Sequence, residues 1–423
     1  MSPNIFTFHS VNVIKLNIIK LNENYTMIFK KIALGLSGGV DSAVSAYLLK
    51  RKGFEVCGIY MKNWDDRDEK GYCSSDRELE DAQFVADRLK IPLMEVNFVK
   101  EYWNDIFLNF IKEYEEGITP NPDVLCNRII KFDLFYKAAI DKFGCDSIAT
   151  GHYARTSFGS FLEHYNEQKT VKLLESVDTF KDQTFFLSQV PQKALKKCMF
   201  PVGSLTKGQV KEIASEIGLK NIAKKVESTG LCFVGKRTFQ SFIAEFIDDK
   251  PGQFVDIDTG KVLGEHRGIH HWTLGQRTRM WGTKGYFVYK KDPVTQIIYA
   301  ASGTDHHLLW SDIFYTENPF WIRENPFSYQ NILKCDFRFQ HTKPKVNCTV
   351  YKANDEGDKL LVKLDEPLRS ITPGQYAVLY KDGECLGSSR ITDAGTGPMK
   401  NQQQISDNDK INEIMNGRIV QIN

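Results

Sequence analysis

The stretch Ile32-Ala33-Leu34-Gly35-Leu36-Ser37-Gly38-Gly39-Val40-Asp41-Ser42 decides the fold. Ile32–Leu36 is an apolar run of the kind a strand carries when both faces of its sheet are covered. Two adjacent glycines then allow a tight turn, and Ser42–Lys52 has the pattern of a helix. A glycine turn between a strand and a helix offers backbone N–H groups, and the positive helix end behind them, to an anion. Ser37 and Ser42 can donate further hydrogen bonds to phosphate oxygens. Asp41 would repel a bare phosphate, so it is expected beside a cation such as Mg²⁺. Nothing in the 423 residues matches G-x-x-x-x-G-K-[ST], which separates this turn from the loop of P-loop kinases and GTPases.

Working outward, Phe54–Met61, Leu93–Phe98 and Ser147–Thr150 read as further strands, and Arg77–Lys90, Tyr102–Glu115 and Val124–Phe143 as helices. This alternation predicts an α/β domain with a Rossmann-like parallel sheet, helices on both faces and ligands beyond the carboxyl ends of the strands. Residues 181–247 read as helical, most clearly over Thr206–Ile217 and Thr238–Ile247. After Pro251-Gly252 the pattern becomes β-rich, with Phe254–Ile257, Tyr286–Lys290, Ile297–Ala300, Cys335–Phe339, Asn347–Lys352, Lys359–Leu364 and Gln375–Tyr380 as strands. The expected division is an extension over 1–27, an α/β catalytic domain with a helical part over 28–250, a small central β-rich domain over 251–310, a C-terminal β-barrel over 311–393 and a polar tail over 394–423.

Composition narrows the class. With 42% hydrophobic and 26% charged residues the chain is globular, and its length calls for two or three domains. No apolar run approaches the roughly 20 residues of a membrane helix. A formal charge of +2 creates no overall field for nucleic acid, so any RNA surface must rest on local basic patches. The nine cysteines are dispersed, without C-x-x-C or zinc spacing, which points to free thiols in a reducing compartment. His270 and His271 invite a metal reading, but no third ligand has suitable spacing, so packing or RNA-backbone contact is expected of them. Residues 1–26 hold Lys15, Lys20 and a single acid, Glu23, but no arginine; they read equally as a targeting segment or as an extension before Met27.

Two cysteines have distinctive settings. Asn121-Pro122-Asp123-Val124-Leu125-Cys126-Asn127 puts Cys126 at the start of a helix, whose positive end favours a thiolate. Ser228-Thr229-Gly230-Leu231-Cys232-Phe233 puts Cys232 in a turn of small residues. Such a pair suits persulfide chemistry, one thiol carrying the terminal sulfur and the other resolving the resulting disulfide.

The whole Ser-Gly-Gly-x-Asp-Ser turn resembles the PP-loop of ATP pyrophosphatases, which split ATP between its α and β phosphates and adenylate a substrate oxygen. Together with Asn121–Asn127, Gly151-His152-Tyr153-Ala154-Arg155, Lys181-Asp182-Gln183-Thr184-Phe185-Phe186-Leu187, the Cys232 turn and His270–Arg277, in that order, it makes residues 32–391 similar to tRNA-specific 2-thiouridylases. The wording around 181–190 and 101–107 is closest to mitochondrial members. Other classes fit less well: an amidotransferase-type PP-loop ligase needs no reactive cysteine pair, and a silent RNA-binding protein needs no Ser37, Asp41 and Ser42.

The resemblance implies that ATP adenylates O2 of wobble uridine 34 and that a persulfide sulfur displaces AMP. ATP would be held by Gly35, Leu36, Ser37, Gly38, Gly39, Val40, Asp41, Ser42, Met61 and Gly151, with Mg²⁺ as its counter-ion. Cys232 would carry the persulfide, Cys126 would be its partner and Asp123 a general acid or base. Asn121, Pro122 and Asp123 would meet the target base. His152, Lys181, Asp182, Gln183, Arg338, Phe339 and Gln375 would lie against tRNA, with Phe339 a surface aromatic for base stacking. Gln340, where many bacterial members carry arginine, and a short insertion before Cys348 depart from the pattern and weaken the barrel part of this carry-over. A sulfur-donor protein such as a cysteine desulfurase relay, a monomeric state and a mitochondrial matrix location are the remaining implications.

Overall fold

A computed structural model describes residues 28–65, 74–225, 233–234, 237–278, 285–353 and 359–395. The expected extension, the polar tail beyond Gly395, Cys232 and most of its turn lie outside the described residues.

The apolar run forms strand β1 (Lys31–Gly35), followed by the glycine turn and helix α1 (Val40–Arg51). Strand β2 (Glu55–Lys62), helix α2 (Ser74–Leu89) and strand β3 (Leu93–Asn97) continue the alternation. Two long helical stretches follow, over 99–115 and 122–142, before strand β4 (Ser147–Ala149). Both stretches contain wide π-helical turns, at Trp103–Phe107 and from Cys126 to Leu134. A short pair, β5 (Arg155–Thr156) and β6 (Leu173–Leu174), and then β7 (Cys198–Met199) complete the domain's strands. The five-stranded parallel sheet runs β3-β2-β1-β4-β7. Strand order reverses between β1 and β4, so the turn after β1 and the loop after β4 open onto one crevice, where ligands bind in such sheets.

Residues 181–247 are less helical than the sequence suggests. The helix Lys207–Glu216 is present, with Thr206 and Gln209 forming a reciprocal capping box. Thr238 caps the short helix Phe239–Ile243. Residues 175–190, however, form a run of turns anchored on Asp182, whose carboxylate accepts from the backbone N–H groups of Ser176 and Thr184. Tertiary anchoring of this kind overrides a helical reading.

Beyond Pro251 the chain is β-rich, as expected. Strands β8 (Gly252–Asp256), β9 (Val262–His266), β10 (Tyr286–Asp292) and β11 (Ile297–Ser302) make a four-stranded sheet around Phe254, Val288 and Ile298. Then β12 (Trp310–Thr316), β13 (Phe320–Trp321), β14 (Ile332–Arg338), β15 (Val346–Lys352), β16 (Leu360–Arg369), β17 (Tyr376–Lys381) and β18 (Glu384–Ala394) follow. The order β12-β16-β15-β14-β17-β18 closes when β18 pairs with β12, giving a barrel around Phe314, Phe337, Val350 and Leu379. The pair β5-β6 from the catalytic domain extends the same sheet through Leu174 opposite Glu384.

Candidate nucleotide and sulfur-transfer site

The glycine turn has the shape its residues require. Gly38 sits at φ +71°, and a Cβ there would stand 2.6 Å from Glu78 O of α2. Gly39 precedes the first turn of α1, and Ser42 Oγ donates to Gly39 O at 3.0 Å while Ser37 N donates to Ser42 Oγ at 3.3 Å. Gly151, after β4, backs onto the turn: a Cβ there would stand 2.7 Å from Ser42 N. Met61, at the end of β2, puts its Cε 3.1 Å from the place a Cβ on Gly35 would take. Gly35–Ser42, Met61 and Gly151 are thus one neighbourhood.

Asp41 is not left waiting for a cation. Lys207 Nζ reaches its two oxygens at 2.8 and 2.7 Å, and Tyr153 OH donates to Oδ1 at 2.9 Å. Lys207 opens its helix, and its backbone N–H donates to Asp178 Oδ2 at 2.9 Å. The cation beside Asp41 in the structure is thus a lysine, whose charge offsets that of the carboxylate. Lys207 also places a cation at a glycine turn that has no Walker lysine. The sequence showed its helix start, but nothing local could link positions 166 residues apart.

The Asn121–Asn127 segment lies along the same wall. Asn121 precedes the helical turn Pro122–Leu125, and Cys126 is buried at the first wide turn, packed with Trp64, Tyr102, Phe107, Phe110 and Ile130. Phe233, the residue after Cys232, is buried in that same cluster. Burial raises the Asp123 carboxyl above its ordinary range, and Lys131 opposes the rise. Lys131 Nζ also stands 3.4 Å from His152 Nε2, one residue from Gly151. Contacts therefore run from the glycine turn through Gly151 and His152 to Lys131, whose charge acts on Asp123.

The residues expected against tRNA divide sharply. His152 is buried and hydrogen-bonded to Thr150 at 2.8 Å; desolvation and Lys131 hold it neutral, well below the usual histidine range. Asp182 is buried and orders its own turn, and Gln183 Oε1 accepts from Tyr153 N at 2.9 Å. These two place the turn rather than present a surface. Lys181 is half-buried beside them. Arg338 lies over the Tyr380 ring at 5.7 Å. Phe339 is not the surface aromatic expected of it: it is buried in the barrel, stacked on Phe337 at 5.8 Å, because the strand's alternation carries its ring inward. Gln375 reaches back across the domains, donating to Thr119 O at 2.7 Å and accepting from Asn121 Nδ2 at 3.2 Å. A cavity of about 200 Å³ opens there, lined by Asn121, Pro122, Phe110, Gly374, Tyr376 and Arg390 among others.

The insertion that departs from the bacterial pattern has a visible use. His341 Nε2 contacts Asp182 O, its ring packs on Phe186 at 4.9 Å, and Lys345 pairs with Glu175 at 2.8 Å. It ties the barrel to the turns that carry Asp182.

Residues 30–236 match the "tRNA methyl transferase HUP domain" family, 240–302 the "tRNA methyl transferase PRC-barrel domain" and 311–391 the "Aminomethyltransferase beta-barrel domain". The chain is 50% identical over 378 residues to mitochondrial tRNA-specific 2-thiouridylase 1 of Drosophila melanogaster, covering 88% of this chain and 97% of that one. It is 45% identical to the human protein of that name, covering 86% and 91%, and 44% identical to tRNA-specific 2-thiouridylase MnmA of Alkaliphilus oremlandii, covering 85% and 96%. The chain belongs to the tRNA-specific 2-thiouridylase family, on the side of its mitochondrial members.

Proposed function

We propose that the chain is an ATP-dependent tRNA sulfurtransferase that makes 2-thiouridine at wobble position 34 in mitochondria. The observation that supports this reading is that Lys131, on the helical stretch that carries Asp123 and Cys126, stands 3.4 Å from His152, the residue after Gly151 at the glycine turn.

ATP is a co-substrate, held at residues 35–42 with Met61 and Gly151 flanking it, and Mg²⁺ arrives as its counter-ion. Lys207 neutralises Asp41 and meets the phosphates. The uridine leaves its stack to enter beside Asn121, Pro122 and Asp123. Its O2 attacks the α phosphate, and pyrophosphate departs. The terminal sulfur of a Cys232 persulfide then bonds to C2 and AMP leaves. Cys126 attacks the Cys232 sulfur, so the bond to the transferred sulfur breaks and a Cys126–Cys232 disulfide forms, which an external thiol reduces. Asp123 moves the proton. Lys181, Arg338 and the Gln375 rim face the RNA, while His152, Asp182, Gln183 and Phe339 support that surface from beneath. The sulfur comes from a donor protein such as a cysteine desulfurase relay, and the chain acts as a monomer in the matrix.

The test is reconstitution of the full chain with ATP, Mg²⁺, a persulfide donor and an unmodified tRNA bearing U34, read by nucleoside mass spectrometry. ATP-dependent 2-thiouridine, lost in Cys232→Ala with tRNA affinity kept, supports the reading. Full activity in Cys232→Ala removes the persulfide assignment, and pyrophosphate release without thiolated base keeps the ATP chemistry but points to a missing donor or another acceptor.

A further inference from the structure

The segment after the helix Phe239–Ile243 brings Asp249 against His270 and His271, which lie in the short turn Ile269–His271 ahead of β10. One carboxylate oxygen, Asp249 Oδ1, faces both imidazoles, at 2.9 Å from His271 Nε2 and 3.8 Å from His270 Nε2. One ligand atom from each of the three residues lies within 4.8 Å of the other two. The other oxygen, Oδ2, is held by the Arg267 guanidinium through Nε at 2.6 Å, which turns Oδ1 towards the histidines. The His270 side chain is 3% exposed, yet its Nε2 has no hydrogen-bond partner. A buried polar atom left without a partner calls for an explanation. Here it points at a carboxylate oxygen already shared by a second imidazole.

We propose that Asp249, His270 and His271 bind a divalent transition-metal ion of the Zn²⁺ class. Ligand atoms around tetrahedral zinc, with bonds of about 2.0–2.2 Å, stand roughly 3.3 Å apart. The observed 2.9 and 3.8 Å bracket that spacing, so small side-chain rotations close the site. Two imidazoles and one carboxylate are a zinc-type donor set, and water takes the fourth position on the exposed Asp249 side. Arg267 then acts as the outer group that fixes a metal-bound carboxylate.

The surroundings set the strength. Lys250 and Lys291 lie close enough to act on His270, and Lys291 Nζ is bound to Trp272 O at 2.7 Å. Their positive charge weakens attraction for an ion, that of Lys291 only in part because burial pushes its ammonium down to about 7, so the site is of moderate affinity rather than a closed structural centre. Its position gives it a use. Asp249 ends the segment whose Phe233 and Phe242 share a buried cluster with Cys126, while the histidines lie between β9 and β10 of the central sheet domain. An ion here pins that segment to the sheet.

The experiment is titration of the full, chelator-stripped chain with Zn²⁺ against a chromophoric chelator, and with Co²⁺ read by visible absorption. One equivalent is expected to bind with d–d bands and no thiolate charge-transfer band, and Zn²⁺ should raise the melting temperature. Asp249→Asn, at a half-exposed carboxylate, and His271→Gln should each weaken binding at least tenfold while melting like the wild type without metal. Unchanged binding in Asp249→Asn, or a bound-Co²⁺ spectrum carried by thiolate, overturns the proposal and leaves Asp249–His271 an ordinary ion pair. Neither result bears on thiolation, so the reading of the catalytic site stands or falls separately.

Discussion

Lys207 and Asp41 decide what charge an incoming phosphate meets at the glycine turn. Their contact is short and partly shielded, with side chains 12% and 30% exposed. Lys207→Met should leave Asp41 uncompensated beside the phosphates and lower pyrophosphate release by about 10²-fold, the scale for losing one positioned donor. Asp41→Ala should also block AMP formation, by freeing Lys207 from its place; unchanged pyrophosphate release in either variant would remove the pair from the chemistry. Asp123 makes a pH statement. Its folded pKa is raised by burial, so acting as a base it loses activity as pH falls through that raised value, with Lys131 holding the value down. Lys131→Met removes the opposing cation, and the acid limb of the thiolation profile should move to higher pH. A limb that stays fixed, or that survives in Asp123→Asn, would show another group titrating. The turn residues were legible in the sequence because constraints such as the positive φ at Gly38 are local, whereas Gly151, which backs onto Ser42 from a distant strand, was expected only from the resemblance. Lys207 was not, because its role depends on a distant helix start.

At the scale of elements, the loop before Pro122 is held by the barrel rather than by its own domain. Gln375 donates to both Thr119 O and Pro120 O and accepts from Asn121. Gly374, at φ +91°, passes so close that a Cβ would stand 2.3 Å from Ile118 Cγ2. Gln375→Leu removes these bonds and leaves half-buried carbonyls unpaired, at a cost of about 1 kcal/mol. Its expected signature is a raised KM for tRNA with pyrophosphate release on ATP alone unchanged. Gly374→Ala should be worse, because the strained φ adds to the clash. Equal loss of both activities in Gln375→Leu would mean that the residue merely supports the fold. Parallel strands and capped helices were readable as elements because apolar runs and Thr206 carry them. The strand β18 was not, since Gly387-Ser388-Ser389-Arg390 has the composition of a loop. It is a strand because β17, β12, β13 and β6 all pair with it. The same logic hid Phe339: its residue type suggests a stacking platform, but a strand's two faces are told apart only by what closes over them.

The barrel and the catalytic domain share a core across the whole molecule. Tyr376, Val378, Tyr380 and Cys385 of the barrel belong to the same buried cluster as Ile32, Leu34 and Ile148 of the parallel sheet. Polar links cross the same boundary: Ser188 Oγ donates to Ser388 Oγ at 2.9 Å, Thr184 Oγ1 to Tyr380 OH at 3.3 Å, and Arg390 pairs with Glu113 at 2.7 Å. Burial raises the Glu113 carboxyl despite Arg390, so the pair is partly desolvated, and removing one partner leaves a half-buried charge uncompensated. A chain ending after Ser302 would therefore expose apolar residues of the sheet domain, leave Leu174 of β6 without its strand and strand Glu113. It should be recovered aggregated or with strong dye binding to exposed apolar surface, and without ATP turnover. The full chain should lose both parts in one cooperative calorimetric transition, since neither core is complete without the other. A soluble, ATP-hydrolysing 28–302 fragment, or two separated transitions, would show that the catalytic domain closes its own core and that the barrel is an appended RNA clamp.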